Sequence, residues 1–161
     1  MSRLGISNAL GDVFLGMASA LKRDSRKNGL MRLTGSGYGL HCHFNPYHIY
    51  VVSSHREREQ ENYDAEPNTD ICLSSTSMTV VESVSKIVEE CRTVYGLPLI
   101  RLNVTNFAGG EYWLNARKVV TVFPNDEHTC CVKTGKFRLF VNESVESLVG
   151  RINDAISKRK R

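Results

Sequence analysis

The sequence predicts an α+β protein: two tandem small antiparallel β-modules, each closed by a C-terminal helix, related by a pseudo-twofold axis and preceded by an N-terminal amphipathic helix. Three observations lead there. Leu30-Met31-Arg32-Leu33 matches Leu99-Ile100-Arg101-Leu102 at an offset of 69, and Phe44 to Val52 matches Leu114 to Val122 at 70. Glu82-Ser83-Val84 then matches Glu143-Ser144-Val145 at only 61, so the first copy carries an insertion. That insertion falls at residues 53–68, the most charged segment of the chain, as expected of a surface loop. Finally, each set of short apolar runs is followed by an apolar stripe at helical spacing.

These matches divide the chain into residues 1–28, an amphipathic helix and basic arm, residues 29–96, the first β-module, and residues 97–161, the second with a basic tail. In the arm, Leu10, Val13, Phe14, Met17 and Leu21 share one helical face over Ile6 to Arg23. In the first module, Leu30–Thr34 and Leu40–Phe44 read as strands around the Gly35-Ser36-Gly37 turn. Asn45-Pro46 is a corner, because proline lacks the N–H a ladder needs. Strands resume at His48–Ser53 and Thr69–Ser74. Thr79 and Glu82 have capping-box spacing, predicting a helix with Val81, Val84, Ile87, Val88 and Cys91 on one stripe. Gly96-Leu97-Pro98 ends it.

The second module predicts strands at Leu99–Thr105, Glu111–Asn115, Lys118–Phe123, Thr129–Lys133 and Phe137–Val141. Its closing helix, about Glu143 to Lys158, is capped by Asn142, with Val145, Leu148, Val149, Ile152 and Ile156 on the apolar face. Cys130 and Cys131 alternate on a strand, which predicts one in the core and one exposed.

Composition narrows the class. With 41% apolar and 24% charged residues the chain reads as a globular protein, and no apolar run approaches the roughly 18 residues of a membrane span. Five cysteines without CxxC spacing predict reduced thiols and a cytoplasmic protein, or one in a virion if phage-encoded. No Walker loop, HExxH, nucleophile elbow or dinucleotide fingerprint occurs, so no enzyme and no cofactor is expected.

The second module, and less cleanly the first, resembles the short flagellar proteins of the FlbD/SwrD type. The features that carry the resemblance are Gly110 to Asn115, Lys118 to Val122, Thr134-Gly135-Lys136 and Val141-Asn142-Glu143-Ser144-Val145, with Phe44 to Ile49, Pro67 to Leu73 and Val80 to Val84 in the first copy. The resemblance implies a hairpin-plus-helix module of a bacterial or phage assembly. This chain departs from that family in holding two copies and an N-terminal helix.

Three functional readings follow. The first is a non-catalytic structural or adaptor protein working through protein–protein contacts, with exposed sheet edges inviting a homo-oligomer or assembly. The second is a nucleic-acid binder using the basic termini Lys22, Arg23, Arg26, Lys27, Lys158, Arg159, Lys160 and Arg161. The third holds a small anionic, nucleotide-like ligand between the copies through Arg32 and Arg101. His41, His43 and His48 are the metal-capable residues, but the positions that match the His41-Cys42-His43 cluster in the other copy are Tyr112, Trp113 and neighbours, so no metal is expected.

Overall fold

The computed structural model describes residues 29–37, 39–54, 68–74, 76–105, 110–135 and 137–158. The N-terminal helix expected over Ile6 to Arg23, and most of the charged insertion, lie outside the described residues. The strands are β1 (Met31–Thr34), β2 (His41–Phe44), β3 (Ile49–Ser54), β4 (Thr69–Leu73) and β5 (Ser77–Val80), followed by helix α1 (Val84–Thr93). Then come β6 (Leu99–Leu102), β7 (Tyr112–Asn115), β8 (Thr121–Pro124), β9 (Cys130–Thr134), β10 (Phe137–Val141) and helix α2 (Val145–Ser157). Short 3-10 turns, Pro46–His48 and Ala116–Lys118, precede β3 and β8.

These strands form three antiparallel sheets, β1-β2, β5-β4-β3-β7-β6 and β10-β9-β8. The fold is therefore mostly β, with two α-helices among the described residues, and corrects the expected α+β pair of self-contained, helix-closed modules. The central sheet takes three strands from one side of Gly96 and two from the other. The reason is legible in β3. Ile49-Tyr50-Val51-Val52 is a continuous apolar run, which needs cover on both faces rather than one. Ile49 and Val52 enter one core and Val51 the other, and all three are essentially inaccessible.

The two cores flank this sheet. On one face β1, β2 and α1 bring Met31, Leu33, Phe44, Ile87 and Cys91 against Ile49, Val52 and Ile71. On the other, β9, β10 and α2 bring Val132, Val141, Leu148 and Ile152 against Val51, Ile100 and Leu114. Trp113 packs onto the first core from β7, and Tyr50 and Cys72 onto the second from β3 and β4. Each half thus lends side chains to the other's core.

Pairing registers recur between the halves. Arg32 faces His43 as Arg101 faces Trp113, Val52 faces Ile71 as Val122 faces Val132, and Thr69 faces Val80 as Cys130 faces Val141. The isolated bridges Gly35–Val80 and Val104–Val141 correspond in the same way. The expected pseudo-twofold is nevertheless corrected. A twofold axis that pairs β3 with β7 would also pair β8 with β2, and those two strands belong to different sheets. The joint is one-sided, or heterologous.

Local chemistry explains the remaining differences. Ser83 and Ser144, not Thr79 and Asn142, cap the helices, each hydroxyl accepting the N–H three residues on. Thr79 belongs to β5, where its hydroxyl donates to Asp70 Oδ1 at 2.7 Å. Val81 and Val149, assigned to apolar stripes, are exposed. Cys131 is buried like Cys130, because on the outer face of its sheet it stands between Phe123 and Phe140.

Candidate nucleic-acid interface

Charge locates the site. The described residues hold equal numbers of basic and acidic side chains, ten of each, so the chain's formal +4 is carried outside them. Within the body the charges segregate. No acidic residue occurs between Glu111 and Asp126, or between Glu127 and Glu143, whereas Arg117, Lys118, Lys133, Lys136 and Arg138 fall in those stretches. The Lys136 side chain lies outside the described residues.

Of the other four, Arg117 and Lys118 lie on the 3-10 turn that leads into the outer three-stranded sheet, and Lys133 and Arg138 lie on its strands β9 and β10. Asn115 Oδ1 accepts from the Arg117 N–H at 3.1 Å and sets the turn that carries Arg117 and Lys118. The Lys118 carbonyl accepts from Thr134 Oγ1 at 2.8 Å, and the Val120 N–H donates to the Lys133 carbonyl at 2.8 Å, so this turn is stitched to β9. Lys118 Nζ stands 5.2 Å from the centre of the Tyr50 ring. Gly135, at φ +55°, turns the β9–β10 hairpin where a Cβ would come within 2.9 Å of that ring. Lys133 and Arg138 are then register partners, two exposed cations directly opposite one another.

Like charges so placed repel, and neither ion-pairs with a described carboxylate. Three other arginines are engaged. Arg101 meets Glu111 at 3.3 Å, Arg151 meets Glu143 at 2.7 Å, and Arg92 stacks over Trp113 at 5.9 Å. The row beside Lys133 and Arg138 on the same face is Phe123, Cys131 and Phe140, so aromatic edges border the cations. An uncompensated basic row beside aromatics suits a polyanion.

The residues expected from sequence are distributed differently. Lys22, Arg23, Arg26, Lys27, Arg159, Lys160 and Arg161 lie outside the described residues, and Lys158 is exposed at the end of α2. Arg32 and Arg101 stand in different sheets, one beside His43 and the other beside Trp113, and do not converge on a ligand. The groove at the junction, about 420 Å³, is lined instead by Arg92, Leu97, Pro98, Arg151 and Lys158. Arg101 contributes to that region only its carbonyl, which accepts from Arg151. His41 and His43 share the exposed face of β2 and His48 ends the first 3-10 turn; among the described residues no three metal-ligating groups converge.

Burial, reinforced by Glu90, pushes the pKa of the Cys91 thiol up to about 12, and burial likewise raises Cys72 and Cys130. The β8–β9 turn is closed by Asp126, whose carboxyl is held below its ordinary value by hydrogen bonds from Thr129 and the His128 N–H. No helix among the described residues is long and apolar enough to cross a membrane.

No protein-family model matches the chain, and no curated protein matches it. Among solved structures it is similar to a LytTr DNA-binding domain from Bacillus cereus, with a TM-score of 0.51 over 78% of this chain and 96% of that one. At 11% identity this likeness shows the fold: a β-rich body with its sheets stacked in layers.

Proposed function

We propose that this chain binds double-stranded DNA, and that the basic side formed by Arg117, Lys118, Lys133 and Arg138 contacts the phosphate backbone. The observation that carries the proposal is the Lys133–Arg138 pair, two exposed cations held opposite each other without a carboxylate. Such an arrangement costs stability in the free protein and is relieved when a polyanion lies across it. The likeness to a domain described as DNA-binding weighs toward this reading over the structural or adaptor one. The basic residues near both ends of the chain supply further positive charge to the same polyanion.

Fluorescence anisotropy of a labelled DNA duplex, titrated at several salt concentrations, tests it. Four phosphate contacts predict a log–log salt slope of about −3 to −4, and replacing both Lys133 and Arg138 by alanine flattens it by about 2. Absence of binding at low salt, or an unchanged slope in a folded double variant, overturns the proposal.

A further inference from the structure

The joint between β3 and β7 is a complete interface seen once in a chain that carries its two sides twice. Val51, Val52 and Ser53 pair with Leu114, Trp113 and Tyr112. The Ser54 N–H donates to the Glu111 carbonyl at 3.0 Å, and Asn115 Nδ2 donates to the Ile49 carbonyl at 3.0 Å. By the recurring register, β8 is the counterpart of β3 and β2 the counterpart of β7. Each has one unpaired edge among the described residues. The outer sheets, of three strands and two, match the two pieces into which the central five-stranded sheet divides.

We infer that the β8 edge is a sheet-extension site whose fitting partner is β2 of a second copy of this chain, joined head to tail, and that three side chains keep it shut. The transferred register sets Thr121 opposite Phe44, Val122 opposite His43 and Phe123 opposite Cys42 of the next copy. Asn45 already holds the geometry of Asn115: its Oδ1 accepts from the Tyr47 N–H at 3.0 Å, as Asn115 Oδ1 accepts from Arg117. Yet Asn45 is exposed and no described residue accepts from its Nδ2. In the extended sheet that donor reaches the Val119 carbonyl. Leu30 and Val120 are 61% and 66% exposed, whereas their counterparts Leu99 and Tyr50 pack in or against the two cores that flank the joint.

The shutters are equally specific. Pro124 replaces Ser54 and removes the N–H that pairs with Glu111. Lys133 replaces Cys72, which packs against the opposite core, so docking would strip an ammonium of water. Thr121 replaces the buried Val51. A proline and an outward lysine are the means by which sheets resist edge-to-edge pairing.

Sedimentation velocity of the full chain under reducing conditions, across a concentration series, decides the matter. The wild type is expected to stay monomeric, while the T121V/P124S/K133V variant associates in an open-ended, concentration-dependent way, at least about tenfold more tightly. Adding Asn45→Asp keeps the oxygen that caps the turn but deletes the donor, and is expected to weaken that association about tenfold. If the triple variant does not fold, Pro124→Ser alone, an edge change outside both cores, carries the test. Folded variants that remain monomeric, an association indifferent to Asn45→Asp, or a wild type that already polymerises overturns the inference.

Discussion

Asn115 Nδ2 and the Ile49 carbonyl, 3.0 Å apart and buried, tie the corner of one half to the first residue of β3 in the other. The same side chain caps its own turn through Oδ1, so one amide organises both a local bend and the tertiary joint. Among the described residues, Asn45 at the matching corner performs only the local task. Asn115→Ala is therefore expected to cost about 2–4 kcal/mol, a lost cap plus an unsatisfied buried carbonyl, against about 1 kcal/mol for Asn45→Ala. Urea unfolding of the two variants measures the difference.

The basic row makes a separate prediction. Lys133→Glu reverses one charge and places it opposite Arg138, creating an internal ion pair where there was repulsion. DNA affinity is expected to fall at least about tenfold while thermal stability holds or rises slightly. Anisotropy titration and a thermal melt on one preparation check both.

Gly135 and Gly39 both take positive φ, at +55° and +62°, but only Gly135 has a neighbour in the way. Alanine at 39 meets open space and incurs only the backbone penalty, about 1 kcal/mol. Alanine at 135 must also displace the Tyr50 ring and is expected to cost about 2–3 kcal/mol. Chemical denaturation ranks the two. A proton spectrum of Gly135→Ala is expected to show shifted Tyr50 resonances.

Cys91 sets an alkaline limit. Its folded value of about 12 lies above the ordinary 9.0, so the fold favours the protonated thiol. The resulting stability is fully present below about pH 9 and is lost as pH rises toward 12, because only the unfolded chain ionises readily there. Cys91→Ala is expected to flatten the decline in unfolding free energy between pH 9 and pH 11, while lowering stability at neutral pH through the small cavity it leaves. In native protein at neutral pH, iodoacetamide is expected to modify Cys42 before Cys91.

The two cores are expected to melt together. Ile87→Ala and Leu148→Ala, one in each, should each cost about 2–5 kcal/mol and shift a single transition, because Val51 and Trp113 reach across the shared sheet. Two separated calorimetric transitions in either variant would refute this.

Sequence alone determined the local path. Period-2 runs, glycine turns and the Asn45 and Asn115 corners placed nine of the ten strands among the described residues near their observed positions, because those signals act over a few residues. It missed β5, whose Thr79 and Glu82 imitate a capping box, and it did not single out the acid-free stretches around Arg117 and Arg138. That second signal was present as an absence of Asp and Glu, which charge counts over whole segments conceal. Only the tertiary structure decided how the strands combine. Both halves repeat the same short-range pattern, so the pattern cannot say whether β3 pairs with β7, β8 with β2, or both. That choice rests on side chains far apart in the chain: Val51 against Leu114, Asn115 against Ile49, and Pro124 and Lys133 at the edge left open.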